Sequence, residues 1–131
     1  MKESSSSFFD FKQQGYCCSQ AMLQLGIEQK EGENQGVIDA AGALCGGFYT
    51  GKLCGVLTGG ACLLCYLEPQ KAVDSGLIAQ LFDWFEKEFS AIDCLDLLGD
   101  DPMAKMEVCP VLFDRTYEKV MELLDGIGYE P

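Results

Sequence analysis

The sequence predicts an all-α protein: a compact, single-domain bundle of about five or six helices with a glycine-rich central helix pair. Apolar residues recur at intervals of three and four through most of the chain, which is the periodicity of an amphipathic helix. No convincing segment shows the strict alternation that is typical of a β-strand. With 131 residues, of which 48% are hydrophobic, the chain can bury one core, so residues 1–131 are predicted to form a single domain.

The first helix is predicted from a start signal and a stop signal. Ser4–Ser7 supply N-cap residues, and Phe8, Phe9 and Phe11 follow as an apolar face. Gly15 marks the approximate end, because glycine disfavours a helix interior. The sequence therefore predicts a short N-terminal helix that carries aromatic side chains.

A central pair of apolar helices is predicted in the middle of the chain. A second helix precedes the pair over about Cys18–Ile27, and the polar, glycine-containing segment Glu28–Gly36 is expected to be a loop. The pair itself comprises Val37–Tyr49 and Leu53–Leu67, joined by the turn Thr50–Lys52. Because both members are apolar over most of their length, they are expected to lie at the centre of the bundle.

Glycines recur four residues apart within this central pair. Glycine is less favourable than alanine in a helix by roughly 1 kcal/mol, so some packing interaction must compensate. Close approach between two helix backbones is the usual reason. These glycines are therefore expected at helix–helix contacts, and they are Gly42, Gly46, Gly47, Gly51, Gly55 and Gly59.

Two further helices are predicted in the C-terminal half. Pro69 suits the first turn of a helix that continues to Phe89, because an N–H at that position would be unpaired anyway. Gly99–Pro102 is expected to be a turn, and Pro110 is expected to open a long amphipathic helix that Gly126 ends. The aromatic stripe of the first of these helices is expected to face the core or a homodimer interface.

The charge balance is strongly acidic. There are 9 Lys and Arg residues against 21 Asp and Glu, and the net charge is −12. Such a surface repels phosphate backbones and anionic lipids, so neither nucleic acid nor a membrane is an expected partner. No apolar run reaches the roughly 18 residues of a membrane helix, and the N-terminus lacks the apolar segment of a signal peptide. A cytoplasmic protein is therefore expected.

Eight cysteines and no histidine define the chemistry that the sequence allows. Where thiols stay reduced, such cysteines indicate metal or redox chemistry rather than a disulfide framework. The lack of histidine excludes mixed Cys–His zinc sites, Cys–His nucleophile pairs and CxxCH attachment of haem. Neither a carboxylate pair suited to a hydrolase nor a nucleotide-binding glycine loop is indicated.

Four of the cysteines are the candidate site residues. Cys18, Cys54 and Cys109 are predicted at helix starts, where unpaired N–H groups and the helix dipole stabilise a thiolate. Cys94 lies in the connection after the aromatic helix and could face the same end of the bundle. Together these residues would form a tetrathiolate site built from four segments of the chain.

The other four cysteines receive different interpretations. Cys62 and Cys65 form the motif CLLC inside a leucine-rich helix, where a buried cysteine packs as a small apolar residue. Cys45 is expected in the core, within the first glycine-rich helix. Cys17 is adjacent to Cys18 and is a candidate resolving thiol.

The order of these motifs resembles that of a known family. GYCCSQAML, then CGVLTGG, and then the isolated Cys94 and Cys109 are similar to redox-active proteins named for a CGAxxG motif plus three further cysteines, the C_GCAxxG_C_C family. The same domain occurs in split-Soret cytochromes. The resemblance runs from about Phe9 to about Leu124, which is nearly the whole chain.

The resemblance implies a redox-active helical domain that holds an iron–sulfur cluster of the [2Fe–2S] type. This sequence has Val56 where the motif has alanine, and Cys17 where a polar residue is usual, so the choice of ligand between Cys17 and its neighbour stays open. The haem-bearing part of the cytochromes is not expected here, because the sequence has no CxxCH motif. By position, the four cysteines that match the family are Cys18, Cys54, Cys94 and Cys109.

Several functional hypotheses remain open at this stage. The first is an iron–sulfur cluster for electron transfer or redox sensing, for which the acidic surface suits a basic protein partner. The second is cofactor-free thiol chemistry, in which Cys54 attacks and Cys109 or Cys18 resolves the mixed disulfide. The third is zinc or another soft metal ion bound by the same four thiolates. In the fourth hypothesis, the cysteines are simply core residues of a helical interaction module.

Overall fold

The computed structural model describes residues 4–30, 32–99, 101 and 103–129, and the side chains of all of these except residues 4–7. Within these ranges the chain is helical and contains no β-strand, which confirms the predicted all-α class. A 3₁₀ turn at Gly42–Leu44 and an irregular segment at Gly47–Gly51 separate the third helix from the fourth. The α-helices are α1 (Ser4–Gln13), α2 (Cys18–Gln29), α3 (Gln35–Ala41), α4 (Gly55–Leu67), α5 (Pro69–Asp74), α6 (Leu77–Phe89), α7 (Cys94–Leu98) and α8 (Ala104–Gly126).

Helix α4 is the centre of the fold. It packs against α2, α5, α6 and α8, and Leu63 and Leu64 on this helix are fully buried. Phe85 from α6 and Phe113 from α8 fill the space around it, and the Phe8 ring of α1 lies 5.1 Å from that of Phe113. Neighbouring helices cover most faces of this almost uniformly apolar helix, so most of its surface is buried.

Two glycines allow α2 and α4 to approach closely. A Cβ atom on Gly59 would lie 2.8 Å from both the Cα and the carbonyl oxygen of Ser19, and one on Gly55 would lie 3.4 Å from the Cβ of Cys18. Contacts of 2.8 Å to backbone atoms are too short for any real side chain. The prediction of glycine-mediated helix packing is therefore confirmed at these two positions.

The same prediction is wrong for the segment before α4. The helix expected over Val37–Tyr49 ends at Ala41, and the backbone turns into the left-handed region at Gly46 (φ 57°), Gly47 (φ 61°), Phe48 (φ 60°) and Tyr49 (φ 59°). Glycine tolerates this region without a steric penalty, so four-residue spacing cannot distinguish a helix contact from a left-handed turn. The resulting loop, residues 42–53, is called the glycine loop below.

The remaining helix boundaries differ from prediction at three places. The helix expected from Pro69 to Phe89 is broken at Gly76, whose φ of 70° no right-handed helix accommodates, and α5 and α6 result. Cys94 begins the short helix α7 rather than lying in an irregular connection. Helix α8 begins at Ala104, so Pro110 lies inside it and does not open it. The sequence-based start of this helix, at Pro110, is too late because proline is commonest in the first turn of a helix.

Smaller differences occur in two loops. Helix α2 extends to Gln29, so the predicted loop Glu28–Gly36 is shorter and α3 begins at Gln35. In the turn predicted at Gly99–Pro102, Gly99 has a φ of 63°, as a turn requires, while Asp100 and Pro102 lie outside the described residues. The N-cap serines of α1 likewise fall among side chains that are not described. Within the described ranges, no helix combines the length and apolar character that crossing a bilayer requires.

Candidate functional site

A cavity of about 600 Å³ opens at one end of the bundle, where the N-termini of α2, α4 and α7 meet the second turn of α8. All four cysteines singled out in the sequence line this cavity: Cys18, Cys54, Cys94 and Cys109. Each is a free thiol. The topology therefore brings together side chains that are up to 91 residues apart in the sequence, as the numbers of Cys18 and Cys109 show.

Each thiol is held by a different helix. Cys18 is the first residue of α2, Cys54 is the N-cap of α4, and Cys94 is the first residue of α7. The predicted helix-start positions of Cys18 and Cys54 are thus confirmed. The predicted helix-start position of Cys109 is wrong, because this residue lies inside α8. It nevertheless lines the cavity, which it reaches from the side of the helix.

The four thiols form two hydrogen-bonded pairs. The thiol of Cys109 hydrogen-bonds to the sulfur of Cys18, which lowers the pKa of Cys18 to about 7 against the opposing effect of burial. The thiol of Cys54 bonds likewise to Cys94 and lowers its pKa to about 6. The donors of these hydrogen bonds, Cys54 and Cys109, have raised pKa values, mainly because of the same hydrogen bond and also because of burial. Each pair thus favours one thiolate and one thiol near neutral pH.

Backbone groups also point at the sulfur atoms. The N–H of Gly55 donates to the sulfur of Cys94, and the N–H of Val56 donates to that of Cys54. Both belong to the first turn of α4, where N–H groups have no partner within the helix. The segment before α7 is held against this turn, since the N–H of Cys54 donates to the carbonyl of Ile92 at 2.7 Å. Thiolate charge in the cavity is therefore stabilised by fixed dipoles.

The charge around the cavity differs from that of the whole protein. Its charged lining residues are Lys12 and Lys105, and no carboxylate of the described residues lines it, although the net charge of the chain is −12. After the thiol hydrogen bonds and burial, the Lys105 ammonium acts to lower the pKa of Cys18, Cys94 and Cys109. The cavity is thus a locally positive site that favours anionic sulfur.

A disulfide forms part of the wall of the same cavity. Cys17 and Cys45 are bonded, with their Cα atoms 5.6 Å apart, and both line the cavity. The expectation that Cys45 is buried is confirmed, but its placement in a helix is wrong, because it lies in the glycine loop and is cross-linked to the N-cap of α2. No feature of the sequence gives this pairing, since spacing alone does not determine disulfide connectivity. Cys17 therefore does not serve as a free thiol in this state.

The CLLC motif lies away from the cavity. Cys62 is exposed and Cys65 is half-buried, and neither lines the cavity. The expectation that both pack as buried apolar residues is therefore wrong for Cys62.

The geometry limits how a metal could bind. Among residues 4–30, 32–99, 101 and 103–129, no group of three or more cysteine or acidic side chains is arranged to hold a metal ion. The four cavity thiols are instead divided between the Cys18–Cys109 pair and the Cys54–Cys94 pair. Such an arrangement offers two cysteine sulfur atoms at each of two places.

Comparison with known proteins gives one match. The sequence model of the family described as "Putative redox-active protein (C_GCAxxG_C_C)" matches residues 16–123, which is most of the chain. No curated protein and no solved structure matches. The matched segment includes all four cavity thiols and the Cys17–Cys45 disulfide.

Proposed function

Since the chain belongs to the C_GCAxxG_C_C family, we propose that it is a redox protein whose Cys18, Cys54, Cys94 and Cys109 bind an iron–sulfur cluster of the [2Fe–2S] type. The observation that carries this proposal is the donor set of the cavity: four free thiols in two hydrogen-bonded pairs, with no carboxylate among those lining residues that the structure describes. Clusters of this type are held by four cysteine thiolates. The membership of a redox-active family supports the same chemistry.

The pairing of the thiols favours a binuclear cluster over a single ion. In a [2Fe–2S] cluster two thiolates bind each of the two irons, whereas a structural zinc site places four donors around one ion. The Cys18–Cys109 and Cys54–Cys94 pairs match the first requirement. Among the described residues no group of three donors is already arranged around one ion, so the two pairs would have to approach each other to bind either kind of centre.

The residues of the cavity would perform three tasks around the cluster. When bound, the cluster supplies a reversible one-electron carrier. Cys54 and Cys109 are buried, so the fold keeps water from two of the four sulfur atoms. The N–H groups of Gly55 and Val56 donate to sulfur, and Lys12 and Lys105 offset negative charge. Hydrogen bonds, charge and solvent exposure of this kind set the potential of a cluster.

A direct experiment tests the proposal. The full chain is purified without oxygen, its visible spectrum is recorded, and iron, sulfide and zinc are assayed on the same sample. We expect charge-transfer bands with two irons and two sulfides per chain, as [2Fe–2S] stoichiometry requires. A colourless protein that contains zinc, or no metal at all, would contradict the proposal.

The hydrogen-bonded pairs favour one second candidate function, cofactor-free thiol exchange. In that chemistry the attacking thiolate would be Cys94 or Cys18 rather than Cys54, because the hydrogen bond that Cys54 donates to Cys94, together with burial, raises the pKa of Cys54. The partner within the same pair would then resolve the mixed disulfide. A metal-free protein that reacts rapidly with disulfide reagents at Cys94 would support this function.

Replacing Lys105 with glutamine is expected to lower the reduction potential of the cluster. Reduction adds negative charge to the cavity, and Lys105 is one of the two cations in its lining. Because Lys105 is exposed, we expect a shift on the order of 30 mV toward more negative values, equivalent to about 0.7 kcal/mol for one electron. The midpoint potential is measured by titration with an optical readout.

Lys119→Gln is the matched control for this substitution. Lys119 lies on the same helix, α8, but pairs with Glu122 at 3.2 Å and does not line the cavity. It is 14 positions from Lys105, or about 21 Å along the helix axis. Equal potential shifts in the two variants would show that only the net charge of the protein matters.

A further inference from the structure

We propose that the Cys17–Cys45 disulfide is a second redox couple of this protein, a two-electron dithiol/disulfide pair that opens and closes beside the four-thiol cavity by exchange with a dithiol reductant. Both of its cysteines lie outside the four that match the resemblance, and Cys17 stands where a polar residue is usual. A role for it is therefore additional to the function proposed for the four free thiols.

The disulfide is placed where a reductant can reach it. Both of its residues line the cavity, and Cys17 is only half-buried. A cross-link that served the core alone would lie among the apolar side chains around α4. Instead, Cys17 and Cys45 belong to a cavity wall that also contains four free thiols. The position thus favours exchange chemistry over a purely structural tie.

The surroundings of Cys17 suit its reduced form. The hydroxyl of Ser19 is fully buried and donates its hydrogen to the carbonyl of Ala41 at 2.9 Å. Its oxygen also lies 3.2 Å from the sulfur of Cys17, but a disulfide sulfur carries no hydrogen to share. After reduction, the Cys17 thiol can donate to this oxygen. The reduced state therefore gains a hydrogen bond for which the atoms are already in place.

The backbone next to Cys45 also favours opening. Gly46, Gly47, Phe48 and Tyr49 all have left-handed φ values, and the last two carry side chains that this region disfavours. Breaking the bond to Cys17 removes the cross-link that ties this segment to the start of α2. The loop keeps other attachments, including the hydrogen bond from the Lys52 N–H to the Gly47 carbonyl at 3.1 Å. We therefore expect opening to be local.

The exchange balances in atoms and electrons. One thiolate of an external dithiol attacks the more accessible sulfur of Cys17, the Cys17–Cys45 bond breaks, and Cys45 leaves as a thiolate and takes a proton. The second thiolate of the reductant attacks its own sulfur in the mixed disulfide, and Cys17 leaves and takes a proton. The reductant departs as a disulfide. Two electrons and two protons have moved to Cys17 and Cys45.

A thiol-trapping titration of the full chain tests the proposal. The protein is equilibrated without oxygen at a series of ratios of oxidised to reduced dithiothreitol, quenched in acid and alkylated, and the peptides that carry Cys17 and Cys45 are quantified. We expect both to become alkylated together, with a tenfold change in oxidised to reduced protein for each tenfold change in the reagent ratio. Restoring the oxidising ratio should re-form the same disulfide.

Three outcomes would overturn the proposal. The disulfide could stay closed in the folded protein, open only together with loss of helical circular dichroism, or re-form between other cysteines. Iron and sulfide are assayed on the same samples, so that the disulfide and the proposed cluster are tested separately. The trapping readout itself does not require a cluster. An iron-free protein with a reversible disulfide would therefore overturn the proposed cluster and support this inference. An iron-loaded protein with an inert disulfide would support the cluster and overturn this inference.

Ser19→Ala provides a second, quantitative test. This substitution removes the acceptor for the Cys17 thiol, so we expect the reduced fraction at a given reagent ratio to fall by about fivefold, the worth of one hydrogen bond. Circular dichroism is recorded in parallel to show that the helices persist. An unchanged equilibrium in a folded variant would contradict the assigned role of Ser19.

Discussion

Replacing Cys54 with serine is expected to reduce bound iron and sulfide to near background and to remove the visible chromophore. A serine hydroxyl stays protonated near neutral pH and cannot replace a thiolate ligand. The backbone bonds of residue 54, such as that from its N–H to the carbonyl of Ile92, do not depend on the side chain. The loss of a ligand that stabilises only the native state should lower the free energy of unfolding by about 3–4 kcal/mol. Metal assay, visible spectroscopy and thermal unfolding measure these effects.

Cys62→Ser is the matched control for this experiment. It is the same substitution on the same helix, but the side chain is exposed and does not line the cavity. We expect iron, sulfide and the midpoint of unfolding to stay at the wild-type values. If the Cys62 variant lost as much iron as the Cys54 variant, the assignment of ligands would be wrong. If the Cys54 variant kept its iron, Cys54 would not be a ligand, and the proposed set of four cysteines would be wrong.

Replacing Gly59 with alanine is expected to destabilise the fold by about 2–3 kcal/mol, with a fall in Tm of roughly 8 °C. The new Cβ atom would lie 2.8 Å from two backbone atoms of Ser19, so α2 and α4 must move apart. The better helix propensity of alanine returns only about 1 kcal/mol. Since α2 begins with Cys18 and α4 follows Cys54, this separation should also weaken iron binding.

Gly126→Ala is the matched control for Gly59→Ala, because it makes the same change of residue type where there is no close helix contact. Gly126 is the last residue of α8, and nothing lies within 4 Å of the position that its Cβ would occupy. We expect no loss of stability, or a gain of up to about 1 kcal/mol from helix propensity. Chemical denaturation of both variants measures the difference. Similar stabilities of the two variants would mean that the bundle relaxes around an alanine at position 59 without cost.

The features that could be predicted from the sequence are those that depend on local pattern. Three- and four-residue apolar periodicity identified the helical class, and the N-cap position identified Cys54 at the start of α4. Cys109 was selected because proline follows it, yet it lies inside α8, and only the packing of that helix brings it to the cavity. Whether the four thiols bind a cluster stays a prediction.

The features that could not be predicted depend on tertiary contacts. Gly47 and Gly59 each belong to a Gly-Gly pair and to the same four-residue spacing, but Gly47 occupies a left-handed turn and Gly59 a helix contact. The bond between Cys17 and Cys45 requires that α2 and the glycine loop meet, which no spacing rule states. The break at Gly76 was missed because the apolar pattern continues through it.

The position of the cavity relative to the core has a consequence for how the protein is made and maintained. The largest fully buried side chains, among them Phe85, Phe113 and Leu63, belong to the core around α4, and none of them lines the cavity. A core that does not include the cavity would let the chain fold before the proposed cluster is inserted, unlike a zinc finger, which is unfolded without its metal. For the proposed cluster we therefore expect insertion to be a late maturation step. Oxidative loss of that cluster should then leave a folded protein that can be refilled rather than one that must be degraded.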